Sequence, residues 1–192
     1  MDQNYGYVNP APQNGSPLSR KMLIVIGGSI FAIILAIILM VSTGSNSTSS
    51  QAQHLILRME SLQTILSDNE TTRHLKNQEL SNLVASFSLT QTTDINDLKI
   101  ALSSQLPEKI DEKILANETD TTTASTIEEA YLKNKLDAVY AEVLTKKIAS
   151  LQALIAELYG KTKDQKLKQT LESVNENLRK TGKQIDELSI SN

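Results

Sequence analysis

The 192-residue chain has no cysteine, no tryptophan and only two histidines. The lack of cysteine excludes disulfides, thiolate-ligated zinc, iron–sulfur clusters, thiol catalysis and a cysteine-linked lipid anchor. No charge of one sign dominates, because 19 Lys and Arg face 22 Asp and Glu. The composition therefore does not indicate a basic nucleic-acid-binding protein.

Glycine and proline are also scarce beyond the N-terminal region. No glycine occurs between Ser45 and Tyr159, and Pro107 is the only proline after Pro17. Sheets and their hairpins need such turn residues, whereas the abundant Leu, Lys, Glu, Gln and Ala favour helices. The sequence therefore predicts an all-α fold.

One long apolar run, from Met22 to Val41, contains no charged residue. A helix of this length spans about 30 Å, which matches the hydrocarbon core of a bilayer. We expect residues 22–41 to be a retained transmembrane helix acting as a signal-anchor. A cleaved signal peptide is the alternative, with residues 42–44 as its cleavage site.

The flanks of this run predict its orientation. Arg20 and Lys21 precede it, whereas the next cation along the chain is Arg58. The positive-inside rule then places residues 1–21 in the cytoplasm, as a Pro-containing disordered tail, and the rest outside the cell membrane. Residues 42–53 are Ser- and Thr-rich and are predicted to be a flexible linker.

Small residues recur within the apolar run. Gly28, Ala32 and Ala36 are spaced four residues apart and lie on one face of a helix. Such a face lets two membrane helices approach closely, which predicts transmembrane packing on a second copy or on another protein. The alternative is that these residues have no role, since Gly and Ala are common in membrane helices.

Residues 54–192 carry helical apolar spacing and are predicted to form an elongated extracytoplasmic bundle of three or four helices. One predicted helix ends near residues 90–93, and the next begins at a Thr93 or Asp94 cap. Pro107 ends or kinks this second helix, and the apolar spacing continues to about Ala116. A helix of about nine turns is expected from capping boxes at Ser125 and Thr126.

The last two predicted helices form an antiparallel hairpin. Gly160 stands where a helix C-terminal cap is expected, and the connection after it is short. The final helix keeps heptad spacing through Leu167, Leu171, Val174, Leu178, Thr181, Ile185 and Leu188. An oligomeric coiled coil through this helix is the alternative to the hairpin.

Catalytic and metal-ligating patterns are sparse. Di-iron helical bundles use Glu-x-x-His pairs, but Glu70 precedes His74 by four residues and no glutamate stands three before His54. No phosphate-binding glycine loop, nucleophile elbow or zinc-protease motif occurs. We therefore expect no catalytic residue, no cofactor, no metal and no small-molecule substrate, and we do not expect an enzyme.

Lysines cluster near the predicted hairpin turn, at Lys161, Lys163, Lys166 and Lys168. This cluster predicts a contact with an anionic polymer or lipid, and the alternative is a plain solvated turn. No aromatic residue is interleaved with the lysines, so single-stranded nucleic acid is not an expected partner.

These features together predict a membrane-anchored, non-enzymatic binding or scaffolding module with the bilayer and a protein as partners. The absence of cysteine favours a bacterial surface protein. The alternative is a structural envelope spacer that self-associates through the membrane segment and the C-terminal heptads. A sensor is disfavoured, because the segment before Arg20 is short for an output domain.

Overall fold

The computed structural model describes residues 48–190, in which every regular element is an α-helix. The helices of this part are α1 Thr48–Leu66, α2 Asn69–Thr72, α3 Gln78–Ala101, α4 Glu112–Glu118, α5 Thr123–Leu132, α6 Leu136–Lys161 and α7 Gln165–Ile190. The predicted all-α class is confirmed for these residues.

The long helices α1, α3, α6 and α7 form a four-helix bundle. Both α1 and α7 pack against α3 and α6, so α1 and α7 occupy opposite corners. α6 runs antiparallel to α1, because Arg58 contacts Ser150 while Ile65 contacts Tyr140. The short connection at residues 162–164 makes α6 and α7 the predicted antiparallel hairpin.

A long connection links α3 to α6. α3 also runs antiparallel to α1, since Met59 contacts Gln91 and Gln63 contacts Ser88. α3 and α6 therefore point the same way, and the chain between them must return along the bundle. Residues 102–135, which we call the crossover, make this return and carry α4, packed on α1, and α5, packed on α6.

The bundle core is aliphatic and comes from one face of each long helix. The heptad positions of α7 confirm the sequence pattern, because all of them except Leu188 are buried and Leu188 is partly buried against the core. Each buried leucine contributes about 1.5–3 kcal/mol relative to an exposed one. This repeated burial accounts for the orientation of α7.

The bundle begins before the predicted boundary at residue 54. Residues 48–53 were expected to be linker, but they form the first turns of α1. Ala52 is fully buried, Gln51 donates a hydrogen bond to Glu157, and Gln53 Oε1 accepts one from the Asp111 backbone N–H at 2.8 Å. These tertiary contacts outweigh the weak helix preference of the local serines and threonines.

The prediction of a break within residues 90–94 was wrong, because α3 runs through it without interruption. The hydroxyls of Thr90, Thr92 and Thr93 donate to the carbonyls four residues earlier, at 3.0–3.4 Å. The threonines are thus satisfied within the helix. Asp94 does not cap a helix but is buried against Asn177 of α7.

The predicted nine-turn helix is also divided. Asn134 adopts a φ of 58°, and the Asn134 and Lys135 N–H groups donate to the Tyr131 and Ala130 carbonyls at 3.0 and 2.8 Å. This is a Schellman ending of α5, and asparagine tolerates its left-handed position. The chain then restarts as α6 at Leu136.

Two predicted helix ends were wrong as well. α5 begins at Thr123, where Asp120 Oδ1 accepts from the Thr123 backbone N–H at 2.9 Å, so the boxes at Ser125 and Thr126 lie inside the helix. Gly160 lies within α6, which ends at Lys161. There Thr162 turns to an extended conformation and Asp164 caps the next helix, so a left-handed glycine is not needed.

Candidate binding surfaces

The lysine-rich turn between α6 and α7 lies beside the first turn of α1. Glu157 Oε1 accepts hydrogen bonds from both Lys161 Nζ, at 2.8 Å, and Gln51 Nε2. One end of the bundle therefore contains the start of α1, the end of α3 and residues 162–164. We call it the basal end.

The four lysines of the turn differ in their contacts. Lys161 forms an ion pair with Glu157, and Lys168 Nζ lies 5.0 Å from the centroid of the Tyr159 ring, in cation–π geometry. Lys163 and Lys166 are exposed, and their ammonium groups have no ion-pair partner within residues 48–190. The predicted cluster thus presents two free cations to solvent.

Asp164, the carboxylate inside this cluster, is already engaged. Its Oδ1 accepts from the backbone N–H groups of Lys166 and Leu167, at 2.8 and 3.2 Å. A carboxylate at this position also interacts favourably with the N-terminal dipole of α7. The charge of Asp164 is therefore directed mainly at the helix end.

A second surface is a groove of about 610 Å³ between α1 and the crossover. Its apolar wall comes from Ile65, Ile127, Leu136 and Tyr140. Its carboxylates are Glu60, Asp68, Glu70, Glu118, Asp120 and Glu128. The sequence did not predict this groove, because these residues come from separate segments that carry no common spacing.

Glu118 joins the crossover to the bundle. Its Oε1 lies 2.7 Å from His54 Nδ1, and Arg58 donates to both of its oxygens, at 2.6 and 2.8 Å. A further Arg58 nitrogen donates to Ser150 Oγ at 2.6 Å, so α1, α4 and α6 meet at this cluster. Burial opposes the ionisation of Glu118, but the hydrogen bonds from Arg58 and His54 outweigh it and lower the pKa.

Other carboxylates of the groove are held by this chain too. Glu60 pairs with Lys99 and Asp120 pairs with Lys147, both at 2.6 Å. Burial raises the pKa of Asp120, but Lys147 and Thr123 outweigh it and lower the pKa below its ordinary value. A general acid at neutral pH needs a raised pKa, so this arrangement suits binding better than proton transfer.

The two histidines occupy different surroundings. His54 is partly buried and paired with Glu118, whereas His74 is exposed. The His74 ring lies 4.7 Å from that of Tyr131, and the pair stands between the groove and a second cavity of about 620 Å³. Residues 48–190 contain no group of three or more ligand side chains placed to hold a metal ion.

The membrane-related predictions lie outside the described residues. This applies to Arg20 and Lys21, to the packing face of Gly28, Ala32 and Ala36, and to the whole apolar run at residues 22–41. Among the helices of residues 48–190, none has the length and apolar character needed to cross a bilayer.

Comparison with protein-family models, with curated proteins and with solved structures found no match.

Proposed function

We propose that the protein is a single-pass, membrane-anchored helical bundle that acts as a non-enzymatic binding or scaffolding module at the cell surface. The uncharged run at residues 22–41 is its anchor, and Arg20 and Lys21 keep the N-terminus cytoplasmic. Only residues 42–47 separate this run from α1. The bundle therefore stands close to the outer face of the membrane.

The completeness of the bundle core carries the module hypothesis. Leu167, Leu171 and Leu178 of α7 are all 0% exposed, and they pack against helices of the same chain. The heptads are thus unavailable for a coiled coil with a second copy. This supports a binding module over the self-associating spacer, which would keep only the Gly28, Ala32 and Ala36 face for assembly.

The groove between α1 and the crossover is the surface we assign to a protein partner. It combines an apolar wall with carboxylates, and Glu128 is exposed there without an ion-pair partner within residues 48–190. Tyr131, at 49% exposure, stands at its edge. A partner helix with apolar and cationic side chains matches this lining.

Alkaline carbonate extraction of membranes tests the anchor. We expect the native chain to stay in the membrane pellet and a variant with Ile30→Lys and Ile34→Lys to be released. Each central lysine costs about 2.5–3.5 kcal/mol of insertion free energy. The matched control carries Ile30→Leu and Ile34→Leu, and equal release of the native chain and the lysine variant would refute the anchor.

Site-specific photo-crosslinking in membranes tests the module against the spacer. A photoreactive residue replaces Glu128 in the groove or, as the control, the exposed Lys180 on α7. The module predicts one heavier adduct from position 128 that is weakened by Tyr131→Ala and contains a second protein. Adducts at multiples of the chain mass that disappear with Ala32→Leu would instead establish the spacer.

A further inference from the structure

We propose that the basal end of the bundle lies on the membrane surface and that the α6–α7 turn binds anionic phospholipid headgroups through Lys163 and Lys166. This inference rests on the proposed anchor. It assigns a ligand class to the lysines, and it sets the orientation of the bundle on the bilayer.

The position of the turn follows from where the described chain begins. Val41 ends the apolar run and α1 begins at Thr48, so the backbone between them reaches at most about 25 Å. Gln51, in the first turn of α1, shares Glu157 Oε1 with Lys161. The tether therefore keeps the α6–α7 turn nearer to the headgroups than the opposite end of the bundle.

The charges of the basal end favour the turn as the lipid contact. Lys163 and Lys166 have no ion-pair partner among the described residues, whereas Asp164 caps α7 and Glu157 is shared by Lys161 and Gln51. A lysine near an anionic leaflet strengthens surface binding roughly fivefold. The effect decays over about 8 Å at physiological ionic strength, so only side chains close to the surface contribute.

The crossover part of the basal end carries one net negative charge. Its exposed lysines, Lys109 and Lys113, lie beside the exposed acids Glu108, Asp111 and Glu112. Ile110 is 39% exposed and is held at this end by the contact between Gln53 and the adjoining backbone N–H. This part therefore offers an apolar contact but no electrostatic attraction to an anionic surface, and the α6–α7 turn has to supply that attraction.

The proposed orientation places the other end of the bundle far from the bilayer. α6 has 26 residues and runs away from the turn for about 39 Å. Leu132, at the end of α5, lies beside the far end of α6 and is 76% exposed. Gln165, which opens α7, is exposed at the basal end. These two positions report the orientation.

Energy transfer from the protein to labelled lipid headgroups tests the proposal, and the absence of native cysteine permits single labelling sites. Full-length chains with Gln165→Cys or Leu132→Cys carry the donor. They are reconstituted in vesicles of phosphatidylcholine, with or without phosphatidylglycerol. We expect transfer from position 165 to rise with phosphatidylglycerol and to fall with added salt, and transfer from position 132 to stay low.

Removal of the free cations provides the decisive variant. Lys163→Gln with Lys166→Gln should lower the ratio of surface-bound to unbound bundle roughly 25-fold in phosphatidylglycerol vesicles, at about fivefold per lysine. Lys133→Gln with Lys135→Gln makes the same charge change at the far end and should leave transfer from position 165 unchanged. Circular dichroism checks that each variant keeps the helical content of the native chain.

Carbonate extraction of the same vesicles distinguishes a failure of the headgroup contact from a failure of the anchor. If the chain is retained in the membrane but energy transfer from position 165 does not change with lipid charge or with the lysine substitutions, the headgroup contact is refuted and the anchor is supported. If the native chain is released by carbonate, the anchor itself is wrong. Equal transfer from positions 132 and 165 in a retained chain would refute the orientation.

Discussion

The hairpin of α6 and α7 and the crossover are attached to the molecule by different interactions. The hairpin buries a regular series of aliphatic side chains, including Leu144, Leu151 and Leu158 of α6. The crossover buries few side chains, and its ordered contacts are largely polar, such as Glu118 with Arg58 and Asp120 with Lys147. Aliphatic burial is non-directional and additive along a helix, whereas polar contacts are directional and depend on single atoms.

This difference has a consequence for local stability. A segment with few buried apolar contacts opens at a lower free energy than the core around it. The crossover should therefore open while the four long helices remain packed. Since it also forms one side of the groove, its opening would change the surface that we assign to a partner.

The largest expected effect comes from a truncation in the hairpin. Leu171→Ala removes a fully buried side chain and should lower the free energy of unfolding by about 2–5 kcal/mol, because lost burial and a cavity act together. Urea unfolding of the full-length chain, followed by circular dichroism, measures it. The control is Leu115→Ala in the crossover, where the side chain is 49% exposed, and it should change stability far less.

Equal losses for the two truncations would contradict the comparison. They would mean that the exposed leucine of the crossover contributes as much burial as the core leucine of α7.

The same contrast explains which parts of the fold the sequence predicted. The buried face of α7 could be predicted from its heptads because burial repeats with the helical period. The Schellman ending at Asn134 and the continuous α3 depend on individual hydrogen bonds, which the spacing of apolar residues does not predict. Asparagine followed by a lysine between two apolar segments was the one local signal for that ending.

The candidate surfaces divide in the same way. The lysine cluster is contiguous in sequence, so its place at the hairpin turn was predicted. The Glu118 cluster brings together residues 58, 118 and 150, and the groove likewise joins α1 to the crossover. A single sequence carries no pairing information over such separations. Glu118 was therefore indistinguishable from a solvated carboxylate until the fold was known.

The next largest effect concerns Asp94, a carboxylate in the bundle. It is 4% exposed, and Asn177 donates to its Oδ1 at 2.9 Å, while its Oδ2 and the Oε1 of Gln91 lack hydrogen-bond partners within the described residues. Burial raises the pKa of Asp94 from 3.8 to about 6, with the Asn177 hydrogen bond opposing it. The folded state thus binds the proton more tightly than the unfolded state does.

Stability should accordingly fall as the pH rises from about 4 to about 6. Asp94→Asn removes the buried charge. It also places an amide nitrogen at the position of Oδ2, which accepts no hydrogen bond in the described residues. We expect it to stabilise the protein at neutral pH by about 2 kcal/mol and to flatten this pH dependence. Urea unfolding at a series of pH values measures both, and Glu79→Gln, at an exposed site on the same helix, is the control. An unchanged pH profile for Asp94→Asn would show that the Asp94 carboxyl has an ordinary pKa in the folded protein.

Glu118 gives the smallest effect and the opposite dependence on pH. Its pKa is lowered in the folded state, so its contribution is present above the ordinary glutamate pKa and is lost as the pH falls through the folded value. Glu118→Gln weakens charge-assisted hydrogen bonds from Arg58 and His54 but leaves the apolar bundle intact. We expect a local loss of about 1 kcal/mol.

Hydrogen–deuterium exchange of the full-length chain localises this loss. About 1 kcal/mol corresponds to a roughly fivefold faster exchange of amides in α4 and α5, with little change in α6 and α7. Glu112→Gln, an exposed position on α4, is the matched control and should leave the exchange unchanged. If exchange in the hairpin accelerated as much as exchange in the crossover, the two regions would form one cooperative unit. The polar contacts that attach the crossover would then be no weaker than the aliphatic packing of the hairpin.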